Sequence, residues 1–254
     1  MLTNVQESAV RAGRCTMVAT LVILAGCRST PEPVPPPNAS QSHSPTAAPA
    51  KPHAGTLTLQ VDPGRTVVTV IVRRAGPLAK LGHDHVITSA DEAGSVWLGS
   101  TPADSSFELT LPVARFDVDL PEARAAAGPE FAAPVPDDAR AGTRRNLLRT
   151  EVLDGEHFPT ITLRSASASG PWPQPIVRVA VTLKGVEREQ EIPVVVERDA
   201  NGVIARGELR LNQTDFGMTP FSVAGGAIQV ADTLAIRFEI AAASTGAVSL
   251  PRVP

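Results

Sequence analysis

The chain has 254 residues, a formal net charge of −3, and a composition that is 43% apolar, 19% charged and 4% aromatic. That length fits one domain or two small ones, with enough apolar residues for a sizeable core. The near-neutral charge and few aromatics exclude a basic nucleic-acid face and a base-stacking platform, and both cysteines fall in the first 27 residues, which excludes a disulfide scaffold.

In chain order, Arg11 and Arg14 precede a short apolar run over residues 17–25, which ends Leu24-Ala25-Gly26-Cys27. Basic, then apolar, then small is the order of a secretory signal peptide, and no apolar run reaches the ~18–20 residues of a transmembrane helix. The ending resembles the bacterial lipoprotein cleavage motif, in which the cysteine is acylated and the chain is cut just before it. The expectation is a signal peptide over 1–26 and a lipid anchor on Cys27, since several acyl chains give stable membrane attachment. A mature chain starting there has no second cysteine and needs no disulfide in an oxidising periplasm. Arg28, where an aspartate would oppose it, is compatible with sorting to the outer membrane. The implied setting is the bacterial cell envelope, with the rest of the chain facing the periplasm.

Residues 28–54 contain eight prolines among 27 residues, and most of the others are small or polar. Such a segment buries too little surface to offset its ordering entropy, so 27–54 reads as a lipidated cysteine and disordered tether, with His43 and His53 solvated. Residues 244–254 read as a second disordered end.

Between residues 55 and 243 the pattern has period 2. Phe107, Leu109 and Leu111 alternate with polar neighbours; so do Val177, Val179, Val181 and Leu183, and Leu234, Ile236, Phe238 and Ile240. Alternation of this kind marks strands with one buried and one wet face. Further strands are predicted near 55–62, 65–73, 84–89, 93–98, 159–167, 188–197 and 203–211, with turn chemistry at Asp62-Pro-Gly, Gly170-Pro-Trp-Pro and Asp199-Ala-Asn-Gly. Residues 137–152 break the rhythm and predict a helix, with an aspartate cap at its start and Leu148 and Val152 on one face. About ten strands, one short helix and no βαβ alternation indicate an all-β barrel or sandwich.

Three segments carry a family resemblance in their order and spacing: residues 148–163, containing Glu156-His-Phe-Pro-Thr-Ile; residues 181–186, Val-Thr-Leu-Lys-Gly-Val, followed by Ile192-Pro-Val-Val; and residues 211–218, containing Asp215-Phe-Gly-Met. Together they resemble the YceI-like family of bacterial periplasmic lipid-binding proteins, over roughly residues 56–242. The resemblance implies an antiparallel, lipocalin-like β-barrel with one short helical insertion. It also implies an apolar channel for a polyisoprenoid or similar amphiphile. Gly76-Pro-Leu-Ala-Lys-Leu-Gly-His-Asp-His-Val-Ile87 and a long segment at 120–140 depart from the common family pattern and mark a divergent branch.

A barrel of about eight strands has room inside for side chains or for one slender ligand. The channel lining is expected from Phe107, Leu109, Leu111, Val179, Val181, Leu183, Leu209, Leu211, Ile236 and Phe238, which supply an apolar wall and little that performs chemistry. No catalytic residues and no cofactor are expected; there is no G-x-S-x-G elbow, and Asp215-Phe-Gly-Met lacks the other parts of a kinase signature. That segment reads as a turn, with Phe216 packed inward and Asp215 bonding backbone amides, and Asn212 reads as structural.

Gly82-His83-Asp84-His85 is the one cluster with chemical potential. On a strand, His83 and His85 share a face. They read as structural or as the channel mouth, where a polar headgroup sits, with Arg145 of the Arg144, Arg145 and Arg149 patch as a further headgroup contact. The alternative is a metal-binding or redox-linked periplasmic factor in which His83 and His85 take a third ligand, His157 or an aspartate. A third reading is an envelope stress or interaction protein with a filled barrel. The expected partners are an isoprenoid-like or other amphiphilic lipid and, through the anchor, a membrane.

Overall fold

The computed structural model describes residues 56–198 and 202–244. The expected signal peptide and lipid anchor on Cys27, the segment read as a tether, residues 199–201 of the expected Asp199-Ala-Asn-Gly turn and the tail from residue 245 lie outside the described residues.

The elements in chain order are β1 (Leu57–Val61), β2 (Val67–Val72), β3 (Arg74–Ala75), β4 (His85–Thr88), β5 (Ala93–Leu98), β6 (Ser106–Pro112), β7 (Asp117–Val118), α1 (Pro121–Ala127), α2 (Asp137–Leu147), β8 (Thr160–Ser169), β9 (Ile176–Leu183), β10 (Val186–Arg198), β11 (Gly202–Asn212), β12 (Ser222–Val223), β13 (Ile228–Val230) and β14 (Thr233–Ala243). All ladders are antiparallel, and β14 closes the sheet by pairing with both β1 and β2 on the side away from β11. The result is an eight-strand, up-and-down closed barrel, because β1–β2, β4–β5 and β6–β7 each behave as one bent strand. Each member of such a pair continues the same ladder after a short interruption. A small sheet of β3, β13 and β12 lies beside it.

The bend between β1 and β2 shows how the interruption is tolerated. The register against β14 slips between Val61↔Ala242 and Val67↔Glu239, across the expected Asp62-Pro-Gly turn. Asp62 Oδ1 accepts the Gly64 amide at 3.0 Å. The buried Thr66 hydroxyl then accepts the Ala241 amide at 3.2 Å and faces the Ala241 carbonyl at 3.5 Å. A side chain thereby substitutes for a missing backbone acceptor of the Ala241 amide, while the Asp62 amide donates to the Ala241 carbonyl at 2.9 Å, so both groups of Ala241 stay partnered.

The helical region differs from expectation in two ways. The helix predicted over 137–152 ends at Leu147; Leu148 is its cap, and Val152 and Leu153 follow in tight turns closed by Val152 N–H to Arg149 O and Leu153 N–H to Leu147 O. Pro136 occupies the N-cap, so Asp137 and Asp138 lie in the first turn instead of capping, and Arg144 and Arg145 lie in the last. That charge order complements the helix dipole. A second helix, α1, begins at Pro121, where the fixed φ of proline suits the first turn.

α1 and the turn at Pro129–Phe131 cover the outer face of β2 and β4, where Phe131, Ile71 and Val86 form a buried cluster. The main core lies inside the barrel, and a smaller cluster of Leu59, Leu98, Val203 and Ala242 packs with Trp172 at one end.

Candidate functional site

Period-2 alternation puts every second side chain of each wall strand into the barrel. A cavity of about 340 Å³ runs along this interior, and its lining is predominantly apolar, mostly aliphatic with a few aromatic rings. All ten positions named from the sequence face it: Phe107, Leu109, Leu111, Val179, Val181, Leu183, Leu209, Leu211, Ile236 and Phe238. The lining extends from Leu98, Trp172, Val203 and Ala242 at one end of the β11–β14 ladder to Leu211 and Leu234 at the other. Thr143, Asn146 and Leu147 project from α2 into the second end. The volume falls within the ~300–1,000 Å³ of ligand sites.

Few polar groups interrupt this wall. The Ser106 hydroxyl is buried there without a hydrogen-bond partner among the described residues. His85 is the one imidazole in the lining. It is the first residue of β4 and alternates with Ile87, which also faces inward.

His83 and His85 do not share a strand face, because β4 begins only at His85. The loop before the strand folds the two rings together instead, with centroids 4.6 Å apart and an edge-on contact. The loop is pinned on either side of His83. Arg74 donates to the Gly82 carbonyl at 2.8 Å, and Asp84 accepts the Arg74 amide and the Arg73 guanidinium, each at 2.9 Å. Partial desolvation and the neighbouring His85 push the His83 imidazole below its usual pKa. Burial pushes the Asp84 carboxyl up, but the Arg74 amide and the Arg73 guanidinium outweigh it and hold it below the usual range.

Behind His85 stands Asp119, only 1% exposed. His85 Nδ1 lies 2.6 Å from Asp119 Oδ2, and Asp119 Oδ1 accepts the Val86 amide at 2.9 Å and Arg124 at 2.7 Å. The Asp119 amide donates back to the Val86 carbonyl at 2.7 Å, so the aspartate brackets one residue of β4. Burial raises the Asp119 carboxyl, but hydrogen bonds from His85, Val86 and Arg124 prevail and keep it below the usual carboxylate range. Arg124, from α1, also donates to the carbonyls of Asp84 and Ala133 and lies 5.7 Å from the Phe131 ring. A polar chain of Arg124, Asp119 and His85 thus runs from the layer outside the wall to the cavity lining.

The sequence reading did not identify Asp119 or Arg124. The only local signal was the unusual 120–140 segment, since the aspartate lies 34 positions from the histidine it holds.

Other expected positions fall elsewhere. His157 pairs with Asp154 at 2.8 Å, which raises its pKa, and it does not join His83 and His85. Arg145 is exposed and absent from the cavity lining, because the last turn of α2 points it outward. Arg144 binds the carbonyls of Phe116, at 3.1 Å, and Ala114, and Arg149 pairs with Glu151. The Asp215 segment forms a turn with Gly217 in the left-handed region and Phe216 buried. Asp215, however, accepts from the Asn212 side chain at 3.2 Å, not from the backbone amides expected of it.

No curated protein matches the sequence significantly. Among solved structures, that of Burkholderia cenocepacia BcnA superposes with a TM-score of 0.54 at 17% identity, covering 72% of this chain and 99% of the other. A Campylobacter jejuni YceI protein matches with a TM-score of 0.46 at 10% identity, covering 62% of this chain and 84% of the other. The first likeness supports the barrel fold. The family model for the YceI-like domain matches residues 59–242, nearly the whole of the closed barrel, and the chain belongs to that family.

Proposed function

We propose that this protein binds, stores or carries one long apolar or amphiphilic molecule, of the isoprenoid or quinone-like class, inside its barrel. The observation that carries this reading is the continuous cavity of about 340 Å³ with a predominantly apolar wall. Space of this size is the opposite of what a barrel filled by its own side chains requires. Membership of a family of barrels that bind hydrophobic ligands, polyisoprenoids among them, supports the same reading.

The mechanism is burial. Each methylene transferred from water to such a wall contributes about 0.8 kcal/mol, so a chain of about 15 carbons gains roughly 10 kcal/mol before ordering costs are subtracted. His85 gives the cavity a polar point at one end, suited to the oxygen-bearing head of an amphiphile. The lipoprotein-like ending at Cys27 and the proline-rich segment after it support an envelope setting, with the barrel tethered to a membrane and facing the periplasm.

The test is to purify the chain from a bacterial envelope, extract it with organic solvent and identify the co-purifying lipids by mass spectrometry. A stoichiometric polyprenyl or quinone-like species is expected. Val181→Trp fills the middle of the cavity and should lose that species while keeping its β-sheet circular dichroism. Equal lipid recovery from the wild type and a folded Val181→Trp variant would overturn the proposal.

A further inference from the structure

We propose that His83 and His85, backed by Asp119, form a site for one divalent transition-metal ion of the zinc or copper class. This goes beyond the binding of an apolar ligand and does not depend on it. Three observations converge. One ligating atom from each of His83, His85 and Asp119 can be chosen so that all lie within 4.8 Å of one another. His83 is exposed, so an ion has a path in, whereas Asp119 is fully enclosed. The loop that carries His83 is fastened at Gly82 and Asp84, so the first imidazole is held beside the second before any ion arrives.

The hydrogen bonds assign the roles. His85 Nδ1 is committed to Asp119 Oδ2, which leaves the Nε2 lone pair as the donor to a metal. A carboxylate behind a ligating histidine fixes its tautomer and orientation and makes it a better donor. Asp119 therefore acts as a positioning residue. Its other oxygen is occupied by Arg124 and the Val86 amide, so little of its charge remains for a cation. Two imidazoles with a largely neutralised carboxylate favour zinc, copper or nickel and disfavour magnesium and calcium, which need several oxygen ligands. The protein supplies two nitrogens, and the remaining positions are for water or an exogenous oxygen or nitrogen donor.

The test uses the full chain in detergent, stripped with a chelator and titrated with Zn²⁺, and separately with Cu²⁺, against a chromophoric competitor. One equivalent more than in the His83→Ala/His85→Ala double variant is expected. Each single alanine change should weaken that equivalent at least tenfold, and Asp119→Asn about 10–100-fold. His157→Ala should change nothing, and excess Mg²⁺ or Ca²⁺ should not compete. Because His83 is exposed and contributes no core packing, its variant decides the question even if Asp119→Asn disturbs the fold. Identical stoichiometry and affinity in the wild type and His83→Ala, or displacement of zinc by Mg²⁺, would overturn the site.

Discussion

Gly207 lies directly across the β11–β14 ladder from Phe238, and a Cβ at Gly207 would come within 2.6 Å of the tip of the Phe238 ring and 3.0 Å of the Pro193 carbonyl oxygen. The missing side chain is what lets the ring lie against the wall while still lining the cavity. A glycine in a strand interior commonly marks such a close approach. Gly207→Val should drive the ring inward, destabilise the barrel by about 1–3 kcal/mol through overpacking, and lower lipid occupancy. Urea denaturation and lipid extraction on the same preparation check both outcomes.

Asp119 makes stability acid-sensitive. Its folded-state pKa lies below the ordinary value of about 3.9, so the contribution is fully present above that value. It is lost as the pH falls through the folded value. Asp119→Ala should cost about 3–5 kcal/mol at pH 7, because it leaves the buried Arg124 without its counter-ion. The gap between wild type and variant should narrow as the pH drops below about 4. Urea midpoints compared at pH 7 and pH 3 test the direction; a constant gap would show that the carboxylate does not contribute through its charge.

Phe131 secures the outer layer. It is 1% exposed, packs with Ile71 and Val86, and lies beneath Arg73 at 4.6 Å. Phe131→Ala should cost about 3–5 kcal/mol by leaving a cavity under α1. A drop in Tm of roughly 10 °C is the corresponding thermal readout for a domain of this size. Arg124 should also become more exposed, detectable as faster amide exchange in α1.

Thr66 tests the side-chain rung at the β1–β2 bend. Thr66→Val keeps the volume but leaves the buried Ala241 amide without its acceptor, at a cost of about 1–3 kcal/mol. Thr66→Ser should retain most of the stability. Equal chemical-denaturation midpoints for the serine and valine variants would remove the hydroxyl from the account.

The parts legible in the sequence are those in which local pattern and tertiary environment agree. β9, β11 and β14 each present one face to the cavity and one outward, so alternation alone placed their inward residues. The resemblance to a known family closed them into a barrel. α1 was not legible, because Pro121–Ala127 is a short alanine-rich segment without an amphipathic stripe; it is helical because it covers β2 and β4. The helix predicted to reach Val152 ends at Leu147 because the chain turns there to send Val152 and Leu153 into the core. At the candidate metal site, the sequence displayed the histidine pair but hid its carboxylate. Asp119 reaches His85 through β4–β7 pairing, and nothing within a few residues of either encodes that contact.

Closure of the barrel also bears on self-association. A strand edge with free carbonyls is a template for a foreign strand. Here β14 is bordered on both sides, while β6–β7 continues beyond its rungs with β8, at Val113 and the residues after it. The Arg144 guanidinium occupies the Ala114 and Phe116 carbonyls in that stretch. Arg144, part of the basic patch read from the sequence, therefore covers the carbonyls that a foreign strand would need at the seam between α2 and β7, and Arg144→Ala should leave both without that donor.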